Sequence, residues 1–206
     1  MKLYYKPGAC SLASHIALRE AGVNFDLEKV DTKQGRTESG EDFSKVNPNG
    51  YVPALKLDTG EVITEGAAVL QYIAEENPKS GLVPFTGTAL QRAKVREFLN
   101  YVASELHIAY GPFFGARLDA EAHKQQQTKL SRKLDYIEKV LSDGRDYLVG
   151  SGFTVADAYL YAVAGWTKFT GLDLARWPNL AAYVKRISSR RAVRDSLEAE
   201  GLLVAA

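Results

Sequence analysis

A small α/β unit followed by an all-helical unit is the fold class this sequence predicts, and three observations carry it. Strand and helix signals alternate through residues 1–77, a stretch rich in Pro and Gly then interrupts them, and from residue 89 the apolar spacing is helical with no hairpin cue. The chain has 206 residues, enough for one large or two small cores.

The elements follow in order. Lys2–Tyr5 is short and aromatic-rich and reads as a strand, broken by Pro7-Gly8. Over Ser11–Ala21 the residues Leu12, Ile16 and Ala17 recur at helical spacing, and Gly22 supplies a stop. Residues 24–30 alternate as a second strand, and polar residues 31–41, with Gly35 and Gly40, read as loop. A short helix at 42–46 ends at the turn cluster Asn47-Pro48-Asn49-Gly50. Apolar runs at 52–57 and 61–64 flank Asp58-Thr59-Gly60, which predicts a β-hairpin. Residues 65–76 read as a helix with Ala68, Val69, Tyr72 and Ile73 inward, stopping before Asn77-Pro78. The order β-α-β-α-β-β-α resembles the thioredoxin arrangement. A linker is expected over 78–88, which holds Pro78, Gly81, Pro84 and Gly87. Helices are expected at 89–110, 123–141, 154–168 and 180–189, with a shorter one at 191–197. The predicted division is therefore 1–77, linker 78–88, and helical domain 89–206.

Composition excludes several functions. Hydrophobic residues make up 46%, charged residues 25%, and net charge is +1, with no basic stripe for nucleic acid. No apolar run approaches the roughly 20 residues that span a bilayer. One cysteine rules out an intramolecular disulfide and a Cys-rich metal site, and no metal is expected. The opening residues are too quickly polar for a signal peptide, so a cytoplasmic location is expected.

Four constellations carry candidate chemistry. Cys10 sits where the first strand gives way to a helix that Ser11 is expected to cap; unpaired N–H groups there favour a thiolate. Position 13 is Ala, so no resolving cysteine exists and dithiol chemistry is excluded. Pro53 heads an apolar strand after a tight loop, where a cis bond would let the Val52 backbone pair with an extended ligand; the alternative is a strand-initiating trans proline. Thr64-Glu65-Gly66 opens a helix whose free N–H groups suit an anion while Glu65 suits an ammonium group. Asn100, Ser104 and His107 share one helix face, opposite the core stripe Val95, Leu99, Val102 and Leu106. By contrast Thr154-Val155-Ala156-Asp157 is a capping-box pattern whose work is to start a buried helix. Trp166 and Trp177 are expected in the core, and His15 and His123 lack metal-spaced partners.

Together the Lys2-Leu3-Tyr4-Tyr5 start with Cys10-Ser11-Leu12, Val52-Pro53, Thr64-Glu65-Gly66, Glu105-Leu106-His107, Phe153 to Asp157 and Glu200-Gly201-Leu202 resemble cytosolic glutathione transferases, and among them the bacterial beta class. The resemblance runs nearly end to end. It implies a thioredoxin-like N-terminal domain plus an all-α C-terminal domain, and glutathione as co-substrate with no tightly bound cofactor. It further implies Val52 and Pro53 on the cysteinyl unit, Glu65 and Gly66 on the γ-glutamyl end, and a homodimer in which Asn100, Ser104 and Glu105 reach the neighbour's glutathione. His107 matches the family's conjugation-site histidine. The chain departs from the family where a loop lysine is replaced by Gly35, for which Arg36 or Lys33 would substitute. It departs again at Ile108, where lysine often follows the histidine, and at Ser14, where proline is usual. The expected activity is conjugation of glutathione to small hydrophobic electrophiles, with Cys10 forming a mixed disulfide with glutathione and Ser11 or His107 polarising the bound thiol. The alternatives are a glutaredoxin-like thiol-disulfide reductase and a non-catalytic glutathione-transferase-like binding protein.

Overall fold

The computed structural model describes residues 1–84 and 86–203; Phe85 of the expected linker and residues 204–206 of the expected helical domain lie outside the described residues. The N-terminal region is built on a five-stranded mixed sheet of order β3-β2-β1-β4-β5. Its strands are β1 (Lys2–Tyr5), β2 (Asp26–Asp31), β3 (Arg36–Thr37), β4 (Ala54–Lys56) and β5 (Val62–Thr64). β1 runs parallel to β2, with Leu3 opposite Leu27, and antiparallel to β4, with Leu3 opposite Leu55. A parallel pair needs a crossover, and α1 (Ser11–Ala21) supplies it, ending on Gly22 in the left-handed region at φ 69°.

Strand alternation sorts the side chains. Leu3, Tyr5 and Leu55 face α1 and α2 (Gly66–Glu76), and Tyr4, Val30 and Ala54 close a second, smaller core with Phe43, Val46 and Val52. The stretch 31–41, expected as loop, contains β3, because Val30 and Thr37 pair antiparallel across a tight polar turn. The expected helix at 42–46 is a single 3₁₀ turn, Phe43–Lys45, capped by the Asp42 carboxylate on the Ser44 amide. On α2 the inward face is Val69, Leu70, Ile73 and Ala74; Ala68 is exposed and Tyr72 only partly buried, a rotation from the expected face. The helix packs on both the sheet and α1, so its buried stripe is wider than the spacing of four residues suggested.

The rest is helical. Thr88 and Gln91 form a reciprocal capping box that starts α3 (Ala89–Tyr101). The helix expected to continue unbroken to residue 110 passes instead through a π-helical segment, Val102–His107, before a last turn, α4 (Ile108–Tyr110). α5 (Ala120–Leu141) begins earlier than expected because Asp119 caps the Ala122 amide, and it buries Leu130, Leu134, Ile137 and Leu141. α6 (Val155–Ala164) is buried along its whole length and tightens into a 3₁₀ stretch, Gly165–Phe169. The Asp157 carboxylate accepts from the Thr154 amide and hydroxyl, the Leu148 amide and the Tyr183 hydroxyl, at 2.7–2.8 Å. α7 (Pro178–Ser188) and α8 (Arg191–Ala199) complete the chain. α1 packs against α6 and α8 as well as α2, so one continuous core joins the two halves. Trp177 and Trp166 are buried, as expected.

Candidate active site

After β1 the chain turns through Gly8, at φ 71°, and delivers Cys10 to the cap of α1. This turn is clamped from the far end of the chain. The Gly8 amide donates to Glu200 Oε2 at 2.9 Å, and its carbonyl accepts from the Trp166 indole at 2.8 Å. Cys10, not Ser11, occupies the cap position. Ser11 is the first helical residue, fully buried, and its hydroxyl accepts from the Lys6 amide at 3.2 Å and donates to the Lys6 carbonyl at 3.3 Å. The expected capping role of Ser11 is thus corrected: its hydroxyl pins the turn beneath Cys10, and its one proton goes to Lys6.

The thiol of Cys10 donates to the Val52 carbonyl at 3.3 Å. Burial pushes it up to about 11, against the opposing pull of the Cys10 and Ser11 amides and with a further push from the Glu65 carboxylate. The expectation of a thiolate favoured by the helix terminus is therefore reversed. Two N–H groups do not replace the hydration that a sulfur anion loses in this pocket.

The Val52–Pro53 peptide bond is cis. Past the hairpin, Glu65 takes the cap position of α2 with φ 65° and ψ 114°, and its side chain makes no capping bond. It is the non-glycine residue with positive φ among the described residues. Such a backbone costs energy for a residue with a Cβ, and strain of this kind gathers at binding sites. Gly66 then opens the helix in close quarters: a Cβ there would lie 3.7 Å from the Tyr159 hydroxyl and 3.8 Å from the Pro53 ring.

His107 completes the cluster. Its Nδ1 lies 2.9 Å from the Tyr159 hydroxyl, and its ring packs edge-to-face on Trp166 with centroids 4.8 Å apart. Burial holds it below its ordinary 6.5. Burial, with the charges of Cys10 and Glu65, also raises Tyr159 and keeps it a hydroxyl. Cys10, Val52, Pro53, Glu65, Gly66 and His107 thus converge from the cap of α1, the loop before β4, the start of α2 and the π-helical segment.

The other expected residues stand apart. Asn100 and Ser104 are exposed, the Asn100 amide donating to the Arg96 carbonyl and the Ser104 hydroxyl to the Asn100 carbonyl. Glu105 is exposed and pairs with Lys133. The single face expected to join Asn100, Ser104 and His107 is broken, because the π-helical segment adds a residue per turn and swings His107 inward. Arg36 is exposed at the edge of β3 and donates to the Gly40 carbonyl at 3.1 Å. Sequence reasoning missed Tyr159, which lies one turn into the helix opened by the capping box, and placed Trp166 only in the core. The hydrogen bonds that tie them to the site, Tyr159 to His107 and Trp166 to Gly8, span 52 and 158 residues and leave no local signal. Two grooves of about 390 and 770 Å³ lie along α3 and α5 and are lined by neither Cys10 nor His107.

The family model described as "Glutathione S-transferase, N-terminal domain" matches residues 1–75, and that described as "Glutathione S-transferase, C-terminal domain" matches residues 101–191. "Glutathione S-transferase GstA" of Escherichia coli O157:H7 is 44% identical over 98% of this chain and 100% of its own. Among solved structures, a bacterial beta class glutathione S-transferase of Sphingomonas chungbukensis is 45% identical, with a TM-score of 0.93 over 98% of this chain and all of that one. A sphingomonad glutathione S-transferase complexed with glutathione is 47% identical, with the same TM-score and coverage.

Proposed function

The chain belongs to the glutathione S-transferase family, and from that membership we propose that it is an enzyme joining the sulfur of glutathione to small apolar electrophiles. The observation that carries the reading is the convergence at Cys10. A thiol lies against the Val52 carbonyl beside Pro53, the strained Glu65–Gly66 corner and the half-buried His107. Glutathione has the matching parts. Its cysteinyl unit pairs with Val52 next to Cys10, and its γ-glutamyl end, an ammonium and a carboxylate together, takes the Glu65 carboxylate and the free N–H groups at the start of α2. Arg36, aided by Lys33, faces the glycyl end. Residues 1–77 then form the glutathione-binding domain, 78–88 the connection, and 89–206 the helical domain that supplies His107. The exposed Asn100, Ser104 and Glu105 serve the glutathione of a second copy in a homodimer, and the protein works in the cytoplasm.

Cys10 forms a mixed disulfide in this reading. Its thiolate attacks oxidised glutathione, one S–S bond breaks as another forms, and one glutathione thiolate leaves. A thiol held near 11 is a slow nucleophile at neutral pH and a poor leaving group. The adduct therefore turns over slowly, which favours conjugation over a glutaredoxin-like reductase. Retention on immobilised glutathione and turnover of chlorodinitrobenzene test the reading. Binding with conjugation well above disulfide exchange is expected; the reverse ratio would establish the reductase, and failure to bind would leave a scaffold.

A further inference from the structure

The hydroxyl of Tyr159 has one hydrogen-bond partner among the described residues, Nδ1 of His107 at 2.9 Å. Two arrangements fit that distance. In one, the imidazole Nδ1–H donates to the tyrosine oxygen; in the other, the tyrosine donates to a bare Nδ1. Tyr159 is buried, with 4% of its surface exposed, and burial keeps its proton in place. If the imidazole donated, the O–H of this buried tyrosine would have no acceptor among the described residues, and a buried donor left unpaired costs about 1–3 kcal/mol. The second arrangement leaves nothing orphaned. The ring's other nitrogen, Nε2, has no protein partner, yet it is not among the buried unsatisfied atoms, of which Ser14 Oγ is the one among the described residues. Nε2 is therefore open to solvent at the site.

We propose that Tyr159 is a positioning residue that fixes His107 as the tautomer protonated on Nε2, so that the ring presents a hydrogen-bond donor, not a base, to whatever occupies the site. His15 provides the opposite case within the same chain. Its Nε2 accepts from the Arg19 Nε–H at 2.9 Å, so its proton sits on Nδ1 and goes to Glu200. Resting on the glutathione-transfer reading, the inference gives His107 a definite part. Its N–H stabilises a sulfur anion or the negative charge that builds on an electrophile under attack, and it does not remove the thiol proton. His107 sits below its ordinary 6.5 because of burial, which keeps the ring neutral at pH 7, and the titratable neighbours of Tyr159 are His107, Cys10 and Glu65.

Long-range proton–nitrogen NMR of ¹⁵N-labelled protein at pH 7 reads the tautomers directly, with His107→Asn identifying the signal. The expected spectrum has His107 protonated on Nε2 and His15 on Nδ1. In Tyr159→Phe the His107 pattern should shift toward a mixture while that of His15 stays unchanged, which also certifies the fold. The same variant should lose about tenfold in kcat with KM for glutathione nearly constant. His107 protonated on Nδ1 in the wild type, or a His107 pattern indifferent to Tyr159→Phe, would overturn the proposal. An inactive protein with the expected tautomers would instead sink the glutathione-transfer reading and leave the positioning by Tyr159 intact.

Discussion

Cys10 is the residue at which local and tertiary effects oppose each other. Its place at the cap of α1 favours a thiolate, and two amide N–H groups act in that sense, but desolvation outweighs them and the thiol is raised to about 11. Alkylation of the free protein by iodoacetamide should therefore be slow at pH 8 and rise toward a midpoint of about 11; a midpoint below 9.0, the ordinary value, would show the thiolate to be favoured after all. Between pH 9.0 and about 11 the unfolded chain has lost the thiol proton and the folded chain still holds it. The wild type should accordingly lose stability relative to Cys10→Ser as pH rises through that window, read as the urea midpoint at each pH. Cys10 was legible in the sequence as the candidate thiol, since it is the lone cysteine at a strand-to-helix turn. Its protonation state was not, because it depends on burial in the packed fold and on the Glu65 charge, far away in the chain.

At the scale of elements, caps and helix type decide where side chains point. The cap of α2 is strained at Glu65, φ 65°, where a glycine would sit without cost. Replacing Glu65 with Gly should stabilise the protein by about 1 kcal/mol in urea unfolding and at the same time weaken glutathione binding by at least tenfold. A variant that loses stability would show that no strain is stored there. The capping box at Thr154–Asp157 was readable from spacing, and it forms. The π-helical segment at Val102–His107 was not. Helical periodicity placed Asn100, Ser104 and His107 on one face; the wider turn sends His107 to Tyr159 and Trp166 and leaves the other two in solvent. Short β3 escaped for a related reason: two residues pairing across a polar turn carry no alternation to read.

At the scale of the whole molecule, the C-terminal segment holds the turn that presents Cys10. Glu200, 6% exposed, accepts from Gly8 and from the fully buried His15, and Arg190 forms a two-pronged pair with Glu20 at 2.6 and 2.9 Å. Glu200→Ala would orphan the Gly8 amide and the His15 ring together, and should lower stability by about 3 kcal/mol and slow conjugation, measured by urea unfolding and steady-state rates. An unchanged urea midpoint would show that water replaces the carboxylate there. The α/β-then-helical architecture, the core stripe of Val95, Leu99, Val102 and Leu106, and the choice of Cys10, Val52, Pro53, Glu65, Gly66 and His107 as candidates were legible in the sequence alone. They rest on period, punctuation and capping, which act between residues a few positions apart. Only the tertiary structure decided that Cys10 is a neutral thiol, that Ser11 serves the turn beneath it, that Tyr159 holds His107, and that Glu200 reaches back to Gly8. Each of these depends on burial or on a hydrogen bond between distant parts of the chain, and neither quantity exists until the chain has packed.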